Sequence, residues 1–255
     1  MARIKLTLEY DGTHYVGWQL QENGPSVQGR LQRAVAELVG ESVSVVAAGR
    51  TDSGVHAWGQ VAAFDSPRAL PLKAYWMGLN GLLPEDIAVV KAEEVAVDFD
   101  PRRWASGKRY VYRVSNRRSR SPLLRHTHCE IYQPLDLDAM REAASCLLGE
   151  HDFSAFRAAD CDAATPRRTL TKVEILGAPG GEVTLTFEGT AFLKHMVRNL
   201  VGSLLEVGRA RQSAAWLPEV LKGQDRTKAG PTAPAHGLVL AEVFYGPREA
   251  REGTA

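Results

Sequence analysis

The chain has 255 residues, 44% of them hydrophobic and 24% charged, with a formal net charge of +1. That length buries roughly three-quarters of the unfolded surface without disulfides or a structural metal, and near-neutral charge leaves any nucleic-acid case to local clusters. The three cysteines (Cys129, Cys146, Cys161) form no C-x-x-C pair, which suits a reducing, cytoplasmic setting. No apolar run approaches the ~20 residues of a membrane span, so no membrane partner is expected.

Taken in chain order, Arg3 to Tyr10 alternates apolar and polar residues and predicts a strand. Ser26 is placed to N-cap a helix carrying Val27, Leu31, Val35 and Leu38 on one face. Val43 to Ala48 and Ala57 to Phe64 predict strands around a Gly-containing loop. Pro71 opens a helix to about Leu82, and Ile87 to Val95 is a further strand. The order β-α-β-β-α-β is that of the ferredoxin-like split unit. Lys108 to Ser115 is an extra strand.

The pattern then repeats. Thr127 to Tyr132 predicts a strand and Leu137 to Leu148 an amphipathic helix. Thr171 to Leu176 and Glu182 to Glu188 are strands joined by a Gly-Pro-rich turn. Lys194 to Val207 predicts a helix and Leu238 to Tyr245 the closing strand. The expected fold is α/β (α+β): two ferredoxin-like halves, 1–104 and 105–247, on a mostly antiparallel sheet flanked by helices, with a cleft between the halves. A disordered tail is expected over 248–255.

The densest chemical signal is the segment Gly49 to Ala57, G-R-T-D-S-G-V-H-A, which groups Arg50, Asp52 and His56 on one short loop between strands. Asp, Ser and Gly also favour plain turns, so composition alone reads this loop as a turn at least as readily as a site. A second signal is charge. From Pro101 to Cys129 there are nine basic residues and no acid, with Trp104, Tyr110 and Tyr112 interleaved. Arginines for phosphate and aromatics for unpaired bases suit RNA. A solvated basic face over core tyrosines is the alternative, since Tyr110 and Tyr112 share one face of a strand. The third is F-L-K-H-M-V-R-N, Phe192 to Asn199, where Lys194 and Arg198 stand four apart: either a surface stripe or an arginine aimed at a carboxylate. No phosphate-binding glycine loop is present. His126, His128 and Cys129 lack a second ligand pair at zinc-site spacing, so no metal site is expected.

Together with Y-D-G-T-x-Y-x-G-W-Q (Tyr10 to Gln19), K-R-Y-x-Y (Lys108 to Tyr112) and H-D-F-S-A-F (His151 to Phe156), these motifs resemble the tRNA pseudouridine synthase A family. The resemblance runs in order from about residue 3 to 246. It implies an isomerase that converts uridines 38, 39 and 40 of the tRNA anticodon arm to pseudouridine, acting as a homodimer without cofactor. Carried over residue by residue, it implies that Asp52 is the catalytic aspartate and that Tyr110 packs on the uracil. It places Arg50 near the flipped nucleotide, pairs Arg198 with the catalytic carboxylate, and has Leu238 close the pocket. Ser53 stands where the family often has alanine. Two rival readings are an RNA-binding module in which Asp52 only forms a turn, and a nucleosidase that releases free uracil.

Overall fold

The computed structural model describes residues 2–246; the tail expectation for 248–255 falls outside them. The chain divides into two compact units, one running through Ser106 and taking up the chain again from Leu240, the other Gly107–Val239.

In the first unit, β1 (Ala2–Tyr10) buries Ile4, Leu6, Leu8 and Tyr10, so the alternation seen in the sequence is the alternation of its two faces. It pairs antiparallel with β3 (His56–Ser66) and β4 (Ile87–Val95). Helix α1 (Val27–Val39) starts where expected, with the Ser26 side chain accepting from Gly29 N–H, and buries Val27, Leu31, Ala34, Val35 and Val39. The stretch from Val43 gives only a two-residue strand, β2 (Val46–Ala47), paired with β3. Gln32 and Gln28 of α1 donate to the Val43 and Val45 carbonyls and occupy acceptors that a longer ladder would need. The helix expected after Pro71 contains a π turn, Ala74–Gly78, which buries Tyr75 and runs into α2 (Leu79–Leu82). The strand order is β4-β1-β3, with β2 also on β3 and the last strand, β10 (Leu238–Tyr245), on the other side of β3. The residues of β10 from Leu240 on therefore belong with this unit, whereas the sequence groups the whole strand with the second half.

The second unit is a mostly antiparallel sheet flanked by helices. β5 (Ala105–Ser115) enters it from Gly107 and pairs antiparallel with β9 (Glu182–Gly189); β9 pairs with β8 (Arg167–Gly177), and β8 with β7 (Gly149–Asp152). The strand expected over Thr127 to Tyr132 shrinks to β6 (Cys129–Glu130), parallel to β5. The N–H groups of Thr127 and His128 close a turn on the Leu124 carbonyl, and the Asn116 side chain takes the Ile131 carbonyl at 2.9 Å. α3 (Leu137–Ala144) is capped by Asp136, which accepts from two N–H groups. α4 (Met196–Gly208) is the most buried helix of the unit and begins two residues later than the pattern suggests. His195 is left-handed (φ 61°), which no helix interior allows. α5 (Trp216–Gly223) has no counterpart among the predicted elements; Pro218 lies in its first turn, where a missing N–H costs little.

Candidate active site

The loop Gly49–Ala57 joins β2 to β3 and is held from behind by the motif Tyr10–Gln19. Val55 N–H donates to the Asp52 carbonyl at 3.1 Å, which makes Asp52–Val55 a turn with Gly54 third (φ 75°). A positive φ at that position is what glycine supplies. The backbone of the loop is thus a turn, as its composition suggests, and the bond that closes it uses the backbone of Asp52.

Around this turn, Ser53 Oγ and Gly54 N–H both donate to the Tyr15 carbonyl, at 3.1 and 3.3 Å. Trp18 N–H donates to the Thr51 carbonyl at 3.0 Å. Gly17 sits at φ 116°, and a Cβ there would lie 2.7 Å from the same carbonyl oxygen. Gly12 N–H donates to His56 Nδ1 at 3.0 Å. Tyr15 donates to Asp86 Oδ1, and burial pushes its hydroxyl well above the ordinary phenol range. Two motifs some thirty residues apart in the chain are thus joined by hydrogen bonds into one unit. On it Asp52 is half-buried and Arg50 exposed.

The second unit carries Tyr110, Arg198 and Leu238. Tyr110, on β5, faces Phe187 of β9 in register. Its ring meets Phe192 edge-on at 4.9 Å and 77°, which joins the K-R-Y-x-Y and F-L-K-H-M-V-R-N motifs. Tyr112 is fully buried and donates to the Pro234 carbonyl at 2.9 Å. Burial, aided by neighbouring Cys129, drives its hydroxyl far above its usual range, while Arg198 opposes the shift. Of the three aromatics interleaved with the basic residues, Tyr112 is therefore core. Trp104 packs edge-on against Phe99 at 5.3 Å. Arg198 Nε donates to the Ala233 carbonyl at 2.8 Å. Leu238, buried, opens β10 directly after the segment 231–237 that contains Ala233 and Pro234.

Several further polar groups, of which only Asn199 belongs to a sequence motif, fasten the same segment. Buried Asn199 donates to the Phe156 carbonyl of H-D-F-S-A-F and accepts from Thr232 Oγ1 (2.7 Å) and Arg226 (3.1 Å). Arg226 also donates to Thr232 and to the Gly230 carbonyl. Their sequence signal is Asn199, a polar residue that directly follows Arg198 in the largely apolar α4. Lys194 does not share a helix face with Arg198; it lies before α4 and pairs with Asp160 at 2.6 Å.

The basic stretch is partly neutralised. Arg109 pairs with Glu188 at 2.8 Å, its partner in the β5–β9 register, and Arg117 with Glu182 at 3.1 Å. Burial lowers the pKa of Arg113. Arg102, Arg103, Arg118, Arg120 and Arg125 are exposed. His128 bonds Thr127 Oγ1 at 3.0 Å and lies 3.7 Å from Glu182. Among the described residues no group of three or more His, Cys, Asp or Glu is placed to hold a metal ion, and no helix is long and apolar enough to cross a membrane.

The tRNA pseudouridine synthase family pattern matches residues 7–102 and again 143–246. The tRNA pseudouridine synthase A of Myxococcus xanthus is 65% identical over 245 residues, covering 96% of this chain and 92% of that protein. The tRNA pseudouridine synthase A of Geobacter sulfurreducens is 48% identical over 96% of this chain and all of that one. Solved structures give a fainter likeness. A chain in an H/ACA RNP bound to a substrate RNA containing 2'-deoxyuridine has a TM-score of 0.36 at 12% identity, and the match spans 80% of this chain and 44% of that one. The chain belongs to the tRNA pseudouridine synthase family, enzymes that isomerise uridine in tRNA to pseudouridine.

Proposed function

We propose that this enzyme modifies uridines 38, 39 and 40 of the tRNA anticodon arm, as a cytoplasmic homodimer without cofactor, and that Asp52 is its catalytic group. The observation that carries the reading is the clamped loop. The Tyr10–Gln19 motif fixes the backbone on both sides of Asp52 and leaves the carboxylate half-buried on a turn.

The reaction breaks the N1–C1′ glycosidic bond, turns the uracil and forms a C1′–C5 bond. C5 loses its proton and N1 gains one, so the product is an isomer of the substrate and no electrons are gained or lost. An ionised carboxylate starts the process either by attacking the ribose or by removing a proton from it. Arg198 is assigned to favour the ionised form, because a guanidinium partner opposes the drift of a desolvated acid toward neutrality. Tyr110 stacks on the detached uracil. Arg50 fills the space that the extruded nucleotide leaves, which offsets part of an unstacking cost of a few kcal/mol. Leu238 closes the pocket on its apolar side.

The test is tritium release from C5-labelled uridine in tRNA, mapped by position. Release confined to 38–40, with no free uracil, supports the reading. Free uracil would indicate a nucleosidase, and tRNA binding without release a mere RNA-binding module.

A further inference from the structure

Behind the Asp52 loop lies a chain of three polar side chains. Tyr10 ends β1 at 3% exposure, Thr51 directly precedes Asp52 at 7%, and Gln60 on β3 is fully buried. The Tyr10 hydroxyl oxygen is 2.8 Å from Thr51 Oγ1. Gln60 Nε2 donates to the Gly49 carbonyl at 2.9 Å and more weakly to the Tyr10 oxygen at 3.5 Å. Gln60 Oε1 accepts from Val61 N–H at 3.2 Å. Arg50 is thus bracketed: Gly49 before it is tied to β3 through Gln60, and Thr51 after it to β1 through Tyr10.

Packing does not require this chain. Phe and Val have nearly the shapes of Tyr and Thr, and buried polar groups are costly unless satisfied. Its hydrogen bonds give direction, which apolar contacts do not. Burial pushes the Tyr10 hydroxyl up to about 12, so it remains a neutral hydrogen-bonding group throughout the working pH range.

We propose that Tyr10, Thr51 and Gln60 are positioning residues for the isomerisation, setting the point and direction from which the Asp52 carboxylate leaves its loop. This rests on Asp52 being the catalytic group. The three residues act through the backbone of the loop. A displacement of about 1 Å at a reacting group costs on the order of 100-fold in rate.

The experiment compares Tyr10→Phe, Thr51→Val and Thr51→Ser with a matched control, Tyr75→Phe. Tyr75 is also a buried tyrosine of this unit, but its hydroxyl oxygen lies 2.7 Å from both Ser66 Oγ and the Arg68 carbonyl, away from the Asp52 loop. Single-turnover tritium release, tRNA Kd and Tm are measured for each, beside wild type and Asp52→Asn. Tyr10→Phe and Thr51→Val should slow release about 10- to 100-fold with Kd within about twofold. Thr51→Ser, which keeps the hydroxyl, should recover most of the rate. Tyr75→Phe should lower Tm comparably and leave the rate at the wild-type level. If Thr51→Val does not fold, Tyr10→Phe against Tyr75→Phe decides. The proposal is overturned if Tyr10→Phe slows release no more than the control. Inactive wild type, or active Asp52→Asn, would instead overturn the reading of Asp52 on which it rests.

Discussion

Arg198 and Ala233 are joined twice: the arginine Nε–H donates to the Ala233 carbonyl at 2.8 Å, and the Ala233 N–H donates to the Arg198 carbonyl at 3.1 Å. One residue of α4 thereby holds the loop that leads into Leu238. Lysine keeps the charge but has no Nε–H and no planar fork. Arg198→Lys should speed amide exchange over residues 231–237 and lower single-turnover release about 10-fold or more. Wild-type exchange and rate would show that charge alone suffices there.

Asp52→Asn should reduce tritium release to background. The turn is closed by the Asp52 backbone carbonyl, which asparagine supplies equally, so the fold should lose no more than about 1 kcal/mol. Binding of tRNA should persist, because the residues proposed to make phosphate and stacking contacts are unchanged in this variant. Near-normal release from the folded variant would leave Asp52 a turn former.

Gly17→Ala places a methyl 2.7 Å from the Thr51 carbonyl at a φ of 116°. Strain of this kind costs about 1–3 kcal/mol, or roughly 3–10 °C in Tm for a protein of this size. Activity should fall further than Tm implies, because the displaced carbonyl adjoins Asp52. Calorimetry alongside single-turnover assays checks both, and an unchanged Tm would show that the loop yields freely.

Arg118 and Arg120 are exposed, whereas Arg109 and Arg117 already have acidic partners. Reversing Arg118 and Arg120 to Glu should weaken tRNA binding and lower the slope of log K against log salt by about one for each phosphate that is no longer neutralised. An Arg109→Gln variant should change the slope less. Equal slopes for all three proteins would place Arg118 and Arg120 away from the RNA.

Much of the architecture is legible locally, because burial follows period. The alternation in Arg3 to Tyr10 is the face pattern of β1, and the spacing of Val27, Leu31 and Val35 is the buried stripe of α1. Local pattern fails where a long-range hydrogen bond overrides it. Gln28 and Gln32 curtail β2, and Asn116 curtails β6. The charge of the segment 101–129 is partly offset for a similar reason. Glu182 and Glu188 are more than fifty residues downstream of Cys129, and strand pairing brings them beside Arg117 and Arg109.

The sequence by itself singled out the candidate residues: a loop that groups Arg50 with Asp52, the tyrosine of K-R-Y-x-Y, and the arginine of α4. Each stands in a run of distinctive residues, and such a run is visible without coordinates. Only the tertiary structure decided how the loops are held. Tyr10 meets Thr51 across 41 positions, and Tyr112 meets Pro234 across 122. Such contacts leave no periodic trace, because the partners are brought together by sheet register and by the packing of α4, not by their spacing along the chain.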